Sequence, residues 1–209
     1  MVAPPYERSV FINCPFDADY APILEAIEFC LIFLGYEPRV ATERNDSGEG
    51  RIDKILELLA ASKFSIHDLS RSQAAKVGEL FRLNMPFELG IDVGCRRFGS
   101  AKHRQKRILI LEKEQYRYKA ALSDIGGVDI QAHGERFDIA IRKVRNWLVS
   151  EAGIHATGAS RIVDAYDDFR AWNFKELVAK GFSEEDARDY PTTELLKAMK
   201  DWLANGRPV

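Results

Sequence analysis

Three short polar clusters in the chain each follow or open an apolar stretch, and each combines residue types that can hold or transform a polar substrate. The first is Asn13, Asp17 and Asp19, after Val10-Phe11-Ile12. The second is Asp68, Ser70 and Arg71, after Phe64-Ser65-Ile66-His67. The third is Asn84 and Glu88, within Asn84-Met85-Pro86-Phe87-Glu88. Asn84 and Glu88 are four apart, so a helix puts them on one face. A carboxylate near a helix N-terminus inside a crevice is kept ionised by the helix dipole. There it can act as a nucleophile or stabilise a developing oxocarbenium ion.

Each of these residues also has a purely structural use. Asp19 and Asn84 suit helix caps, and Asp68 and Ser70 suit turns. Glu88 lies among Phe87, Leu89 and Ile91. It reads either as a residue on the solvated side of its helix or as a buried group whose desolvation needs a reason. His67 reads as a satisfied core histidine, and His103 and His133 as surface residues. The basic run Lys102-His103-Arg104-Gln105-Lys106-Arg107 reads as a solvated loop. Cys14, Cys30 and Cys95 are sparse and odd in number, which argues against a disulfide framework or a zinc site. Cys30 and Cys95 fall in apolar helical patterns, as core thiols do. Cys14 stands near the clusters, but no histidine follows at a spacing that would activate it. The chain has no Walker loop, no GxGxxG after a strand, and no GxSxG, HExxH or CxxC motif. This argues against P-loop enzymes, dinucleotide-binding dehydrogenases and serine or zinc hydrolases.

These clusters need elements to position them. Apolar runs predict strands over Ser9–Asn13, Tyr36–Ala41, Lys63–His67, Arg107–Leu111 and Val128–Gln131. Helical periodicity predicts helices over Tyr20–Leu34, ended by Gly35, and over Arg51–Ala61 with Ile52, Ile55, Leu56 and Leu59 on one face. Further helices are predicted from Asn84 to about Arg97, over Gln115–Ser123, and over Phe137–Val149 with Phe137, Ala140, Ile141, Val144 and Leu148 inward. The stretch before Leu83 is ambiguous. Alternating strands and helices imply a three-layer α/β fold with a parallel sheet, of flavodoxin-like order 2-1-3-4-5. In that order strands 1 and 3 adjoin at the switch point, where open sheets bind ligands, and all three clusters converge there.

Residues 1–152 are expected to form this domain and residues 153–209 a helical extension. The segment HATGAS reads as a linker. Helices are predicted over Arg161–Ala179, Ser183–Asp189 and Thr193–Ala204. Trp172, Phe174, Phe182, Trp202 and Leu203 give them apolar surface, but the segment is too small for a secure core of its own. It must pack on the α/β domain or on a second subunit. The chain has 209 residues and a net charge of -2, with both signs spread along it, so no nucleic-acid partner is expected. No run of roughly 18 apolar residues is present, and the start MVAPPYERSVFI lacks the pattern of a signal peptide, so no membrane partner and a cytoplasmic location are expected.

Taken together, VFINCPFD, SIHDLS and NMPFELG resemble the prokaryotic TIR-like domain family, within the flavodoxin-like superfamily that includes the nucleoside 2-deoxyribosyltransferases. The similarity spans roughly residues 8 to 150. It implies a catalytic Glu88 with Asp68 as the supporting carboxylate. It also implies a nucleotide cleft lined by Asn13, Pro15, Phe16 and Asp17; Ser70 and Asn84, from the polar clusters, are expected to bind substrate beside them. The expected activity is cleavage of the N-glycosidic bond of NAD or a related nucleotide, with NAD as substrate rather than cofactor and with no metal. The resemblance further implies a homo-oligomer and a setting in bacterial antiphage defence or signalling. Two alternatives stand beside it: a non-enzymatic nucleotide-sensing or interaction module, and a nucleoside deoxyribosyltransferase-like hydrolase.

Overall fold

Val10-Phe11-Ile12 and the run Phe64–Asp68 are buried at every position, which only a strand covered on both faces allows. A computed structural model describes residues 4–44, 46–72, 82–120, 122–188 and 190–207. Its strands are β1 (Ser9–Asn13), β2 (Glu37–Val40), β3 (Phe64–Asp68), β4 (Arg107–Glu112) and β5 (Gln131–Ala132). All pair in parallel, in the order β2-β1-β3-β4-β5. Asn13 lies opposite His67, and Asp68 opposite Leu111. The exits of β1 and β3 are therefore adjacent at the carboxyl edge.

The helices are α1 (Ala21–Phe33), α2 (Arg51–Ala60), α3 (Asn84–Phe98), α4 (Phe137–Ala152), α5 (Ala159–Ala179), α6 (Glu184–Arg188) and α7 (Thr192–Ala204). They cover the sheet on both faces. Val10, Ile12, Phe64, Ile66, Leu109 and Leu111 meet α1 and α4 on one face. Phe11 meets Ile55, Leu58 and Leu59 of α2 on the other, and Ile110 meets Met85 and Leu89 of α3. Gly35, at φ 79°, ends α1 as expected, because its missing Cβ lets Tyr36 N–H reach back to the Leu31 carbonyl (2.8 Å).

Several local readings are corrected. The N–H of Tyr20 is capped by the Asp17 carboxylate (3.1 Å), not by Asp19, because the chain makes one more turn before α1. No side chain caps α3, so Asn84 is its first helical residue and not its cap. The inward face of α2 is Lys54, Ile55, Leu58 and Leu59, while Ile52 and Leu56 are each 41% exposed. In place of the helix expected over Gln115–Ser123, Arg117–Ala120 and Ser123–Ile125 form short 3₁₀ turns, with Tyr116 at φ 68°. The fifth strand comes three residues later than expected and pairs over two positions, because turns around Gly126 use the residues before it. The ambiguous stretch before Leu83 falls largely on residues 73–81, outside the described residues.

The extension packs on the α/β layers. Ile162, Tyr166, Phe169, Met199 and Trp202 share one buried cluster with Phe29, Leu31 and Ile141. Phe29 alone touches the rings of Tyr166, Phe169 and Trp202 at centroid distances of 5.4–5.9 Å. Among the described residues, no helix is long and apolar enough to cross a membrane.

Candidate active site

A cleft of about 380 Å3 opens at the carboxyl edge, between the exit of β1 and the starts of α2 and α3. Asn13, Cys14, Pro15 and Phe16 form one wall; Arg51, at the first turn of α2, and Arg82, Asn84 and Glu88, at the approach and first turns of α3, form the others. The volume suits a nucleoside-sized group, near the lower end of ligand pockets. Glu88 is only 6% exposed. Burial pushes its carboxyl up to about 7, while the charge of Arg51 pulls the other way. Among the described residues nothing hydrogen-bonds this carboxylate, and Glu88 lines the cleft. Phe16 is 42% exposed, with the Arg51 guanidinium 5.9 Å from its ring centre. At the rim, Asp17 holds Arg82 (3.1 Å) and Arg71 (3.3 Å).

Beneath the cleft, a buried polar chain fixes α3 to the sheet. The Asn13 side-chain amide donates to the Met85 carbonyl (2.9 Å) and to His67 Nδ1 (3.0 Å). An accepting Nδ1 places the ring proton on Nε2, which donates to Asp92 (3.0 Å). Ser65 bonds the same Asp92 oxygen, and Lys106 lies 3.3 Å from the other. Lys106 also donates to the carbonyls of Leu59 (2.8 Å) and Ser62 (2.5 Å). Burial opposes ionisation of Asp92, but His67, Lys106 and Ser65 outweigh it and hold the carboxyl below its ordinary value. Lys106 is therefore fully buried, not part of a solvated loop, because Asp92 supplies its counter-charge. Glu88 and Asp92 are one helical turn apart on the face of α3 turned to the sheet. Asp92 is hydrogen-bonded there through Oδ2 and faces the Lys106 charge with Oδ1, whereas Glu88 has no hydrogen-bond partner among the described residues.

A second buried network surrounds Asp68. Tyr20 Oη (2.7 Å) and His133 Nε2 (2.9 Å) donate to Oδ2, and the Ser70 N–H donates to Oδ1 (2.8 Å). Burial opposes ionisation, yet the bonds from His133 and Ser70 hold Asp68 below its ordinary value. Ser70 Oγ also lies 3.1 Å from His133 Nε2. Ser70, His133 and Asp68 are thus together but do not form a catalytic triad. Serine and aspartate meet the same ring nitrogen, and His133 Nδ1 accepts the Glu135 N–H (3.1 Å). Nε2 then carries the proton and cannot take one from Ser70. His133 was expected at the surface and is 1% exposed, because Asp68 requires a donor there.

The structure brings Asn13, Pro15, Phe16, Asn84 and Glu88 to one cleft, with Asp17 at its rim through Arg82. Asp68 and Ser70 lie in the adjoining buried network, 0% and 2% exposed, and do not line the cleft. Cys14 does line it, but burial first, then the carboxylates of Asp68, Glu28 and Glu88, push its thiol well above the ordinary value. It stays protonated and is a poor nucleophile. Arg51 was not singled out from the sequence. It follows the exit of β2, which reaches the same edge, so the topology alone marks that loop. Among the described residues, no group of three or more His, Cys, Asp and Glu side chains is placed to hold a metal ion. No protein-family model, curated protein or solved structure matches the chain.

Proposed function

We propose that the protein cleaves the N-glycosidic bond of NAD or a related nucleotide, with Glu88 as the catalytic carboxylate. The observation that carries this reading is Glu88 itself: a nearly buried carboxyl at the switch-point cleft, with its pKa raised to about 7 and no hydrogen-bond partner among the described residues. The neighbouring groups suit the parts of a nucleotide. Phe16 offers a ring face for a base. Arg51 and Arg82 offer guanidinium forks for phosphates.

In the step proposed, the bond between ribose C1′ and the nicotinamide nitrogen breaks. Its electron pair goes to the ring nitrogen, which becomes neutral, so no general acid is required. The positive charge that develops on C1′ and the ring oxygen faces the ionised Glu88, whose field is strong in a poorly solvated cleft. Water then adds to C1′ and loses a proton. Asp68, being covered, serves as a positioning residue that fixes the β3 exit and does not touch substrate.

The test is product analysis at high protein concentration. Equal release of nicotinamide and ADP-ribose from NAD is expected. A free base from nucleosides, with NAD untouched, would replace the reading by a nucleoside hydrolase. Turnover of neither substrate, with saturable nucleotide binding, would replace it by a sensing module.

A further inference from the structure

A second concavity, of about 560 Å3, lies at the opposite end of the strands, at the seam between the α/β layers and the helical extension. Four separate parts of the chain build it: Arg8 just before β1, Phe33 and Leu34 at the end of α1, the 154–157 connection with Arg161 in the first turn of α5, and Arg207 after α7. Arg8 is placed over the Tyr36 ring at 5.2 Å, and Arg207 over Phe33 at 4.6 Å. The connection is held in shape from below by Arg145, which donates to the carbonyls of Ala156 (2.8 Å) and Thr157 (2.9 Å).

Three guanidiniums and His155 thus face one concavity, and among the described residues no carboxylate lines it. The nearest acid in sequence, Glu7, is taken by Lys63 (2.5 Å). The three arginines are solvent-exposed and concentrate like charge on one concavity, which favours an anion there at low ionic strength. α5 adds to this. It begins at Ala159 with no acidic residue in its first turn and no side chain capping its N–H groups, which leaves a partial positive charge at the same spot. The charge exceeds what a single phosphate balances, and the volume exceeds what one fills. The Arg207 guanidinium lies over one face of the Phe33 ring.

We propose that this concavity binds a small molecule bearing two or more linked phosphates, recognised through the phosphates by Arg8, Arg161 and Arg207. Its occupant ties the N-terminal segment, the end of α1, the start of α5 and the C-terminal segment together. Binding therefore strengthens the docking of the extension. The site is separate from the Glu88 cleft and does not depend on its chemistry.

Calorimetric titration of the full chain with inorganic pyrophosphate at low ionic strength tests this, with sulfate at matched ionic strength as the comparison. Saturable binding, at least tenfold tighter than sulfate, is expected, together with a rise in melting temperature. Arg161→Ser and Arg207→Ser should each weaken binding about tenfold, the usual scale for a charge-assisted contact. The doubly substituted Arg96→Ser, Arg97→Ser protein, with two exposed cations removed away from both sites, should bind as wild type does. Unaltered binding in Arg161→Ser and Arg207→Ser, loss in the Arg96/Arg97 variant, or equal response to sulfate would each overturn the proposal. Circular dichroism of each variant identifies any that fail to fold. Arg161→Lys, which keeps the charge but not the fork, should bind more weakly than wild type and more tightly than Arg161→Ser.

Discussion

Glu88 is the residue on which the chemistry rests, and its environment fixes the pH dependence expected of it. The ionised form is the one that stabilises a cationic transition state. A carboxyl raised to about 7 by burial gains that form only as pH rises through about 7. Turnover measured from pH 5.5 to 8.5 should therefore climb with an apparent pKa near 7, and Arg51→Ala should move that midpoint upward by removing the opposing charge. A profile flat down to pH 5 would remove Glu88 from the chemistry. Asp68 predicts a different outcome. Asp68→Ala leaves Tyr20, His133 and the Ser70 N–H without their buried acceptor. It should cost about 3–5 kcal/mol in urea unfolding. Asp68→Asn, which keeps one acceptor oxygen, should lose less.

At the scale of elements, α3 matters most, because it carries Glu88. Its start is fixed to the sheet by one side chain, Asn13, through the Met85 carbonyl. Asn13→Ala removes that link and the donor to His67. Hydrogen exchange in the first turn of α3 should then speed up well beyond that in β4. Uniform protection across both would show that the link is dispensable. The central strands and the sheet order were legible in the sequence because unbroken apolar runs such as Val10-Phe11-Ile12 have few other uses. The convergence of Asn13, Asn84 and Glu88 followed from that order, whereas Phe16 was expected there only from the resemblance. Less legible were the features set by tertiary partners. Lys106 sits in a basic run and His133 beside a polar turn, and both are buried only because Asp92 and Asp68, far away in sequence, supply their counterparts. Likewise, the inward face of α2 is decided by where Phe11 lies in the sheet, a contact that the helix's own periodicity does not contain.

Across the whole molecule, three buried carboxyls impose a common pH dependence of stability. Burial raises Glu28 to about 8, and Glu88 and Glu112 to about 7 each. Each exceeds its unfolded value of 4.5, so the folded state holds protons that the unfolded chain releases. That contribution is complete below about pH 4.5 and fades as pH rises through 7 to 8. Asp68 and Asp92 act in the opposite sense and lose their contribution in strong acid. The melting temperature should be highest at about pH 4 to 5, where both contributions are present, and decline as pH rises to about 8. Glu28→Gln should flatten the alkaline decline, since Glu28 lies in the core between α1 and its neighbours with one oxygen unbonded. A melting temperature that rises between pH 6 and 9 would contradict the assignment.

The extension belongs to this balance as well. Trp202, 1% exposed, and Phe169, also 1%, are spent on α1 and not left for a partner. Removing residues 153–209 uncovers Phe29 and its neighbours, so the shortened chain should aggregate or bind a hydrophobic dye where the full chain does neither. A soluble, cooperatively folding fragment would show that the α/β layers close their core without it.

The most direct measurement of the central claim is NAD turnover by wild type and Glu88→Gln, run side by side at high protein concentration, with products separated by liquid chromatography and identified by mass. The amide keeps the shape of the side chain and removes its charge. Wild type should release nicotinamide and ADP-ribose in equal amounts, and Glu88→Gln should fall at least a hundredfold while melting no lower than wild type at neutral pH. Full turnover in the folded Glu88→Gln protein would contradict the account.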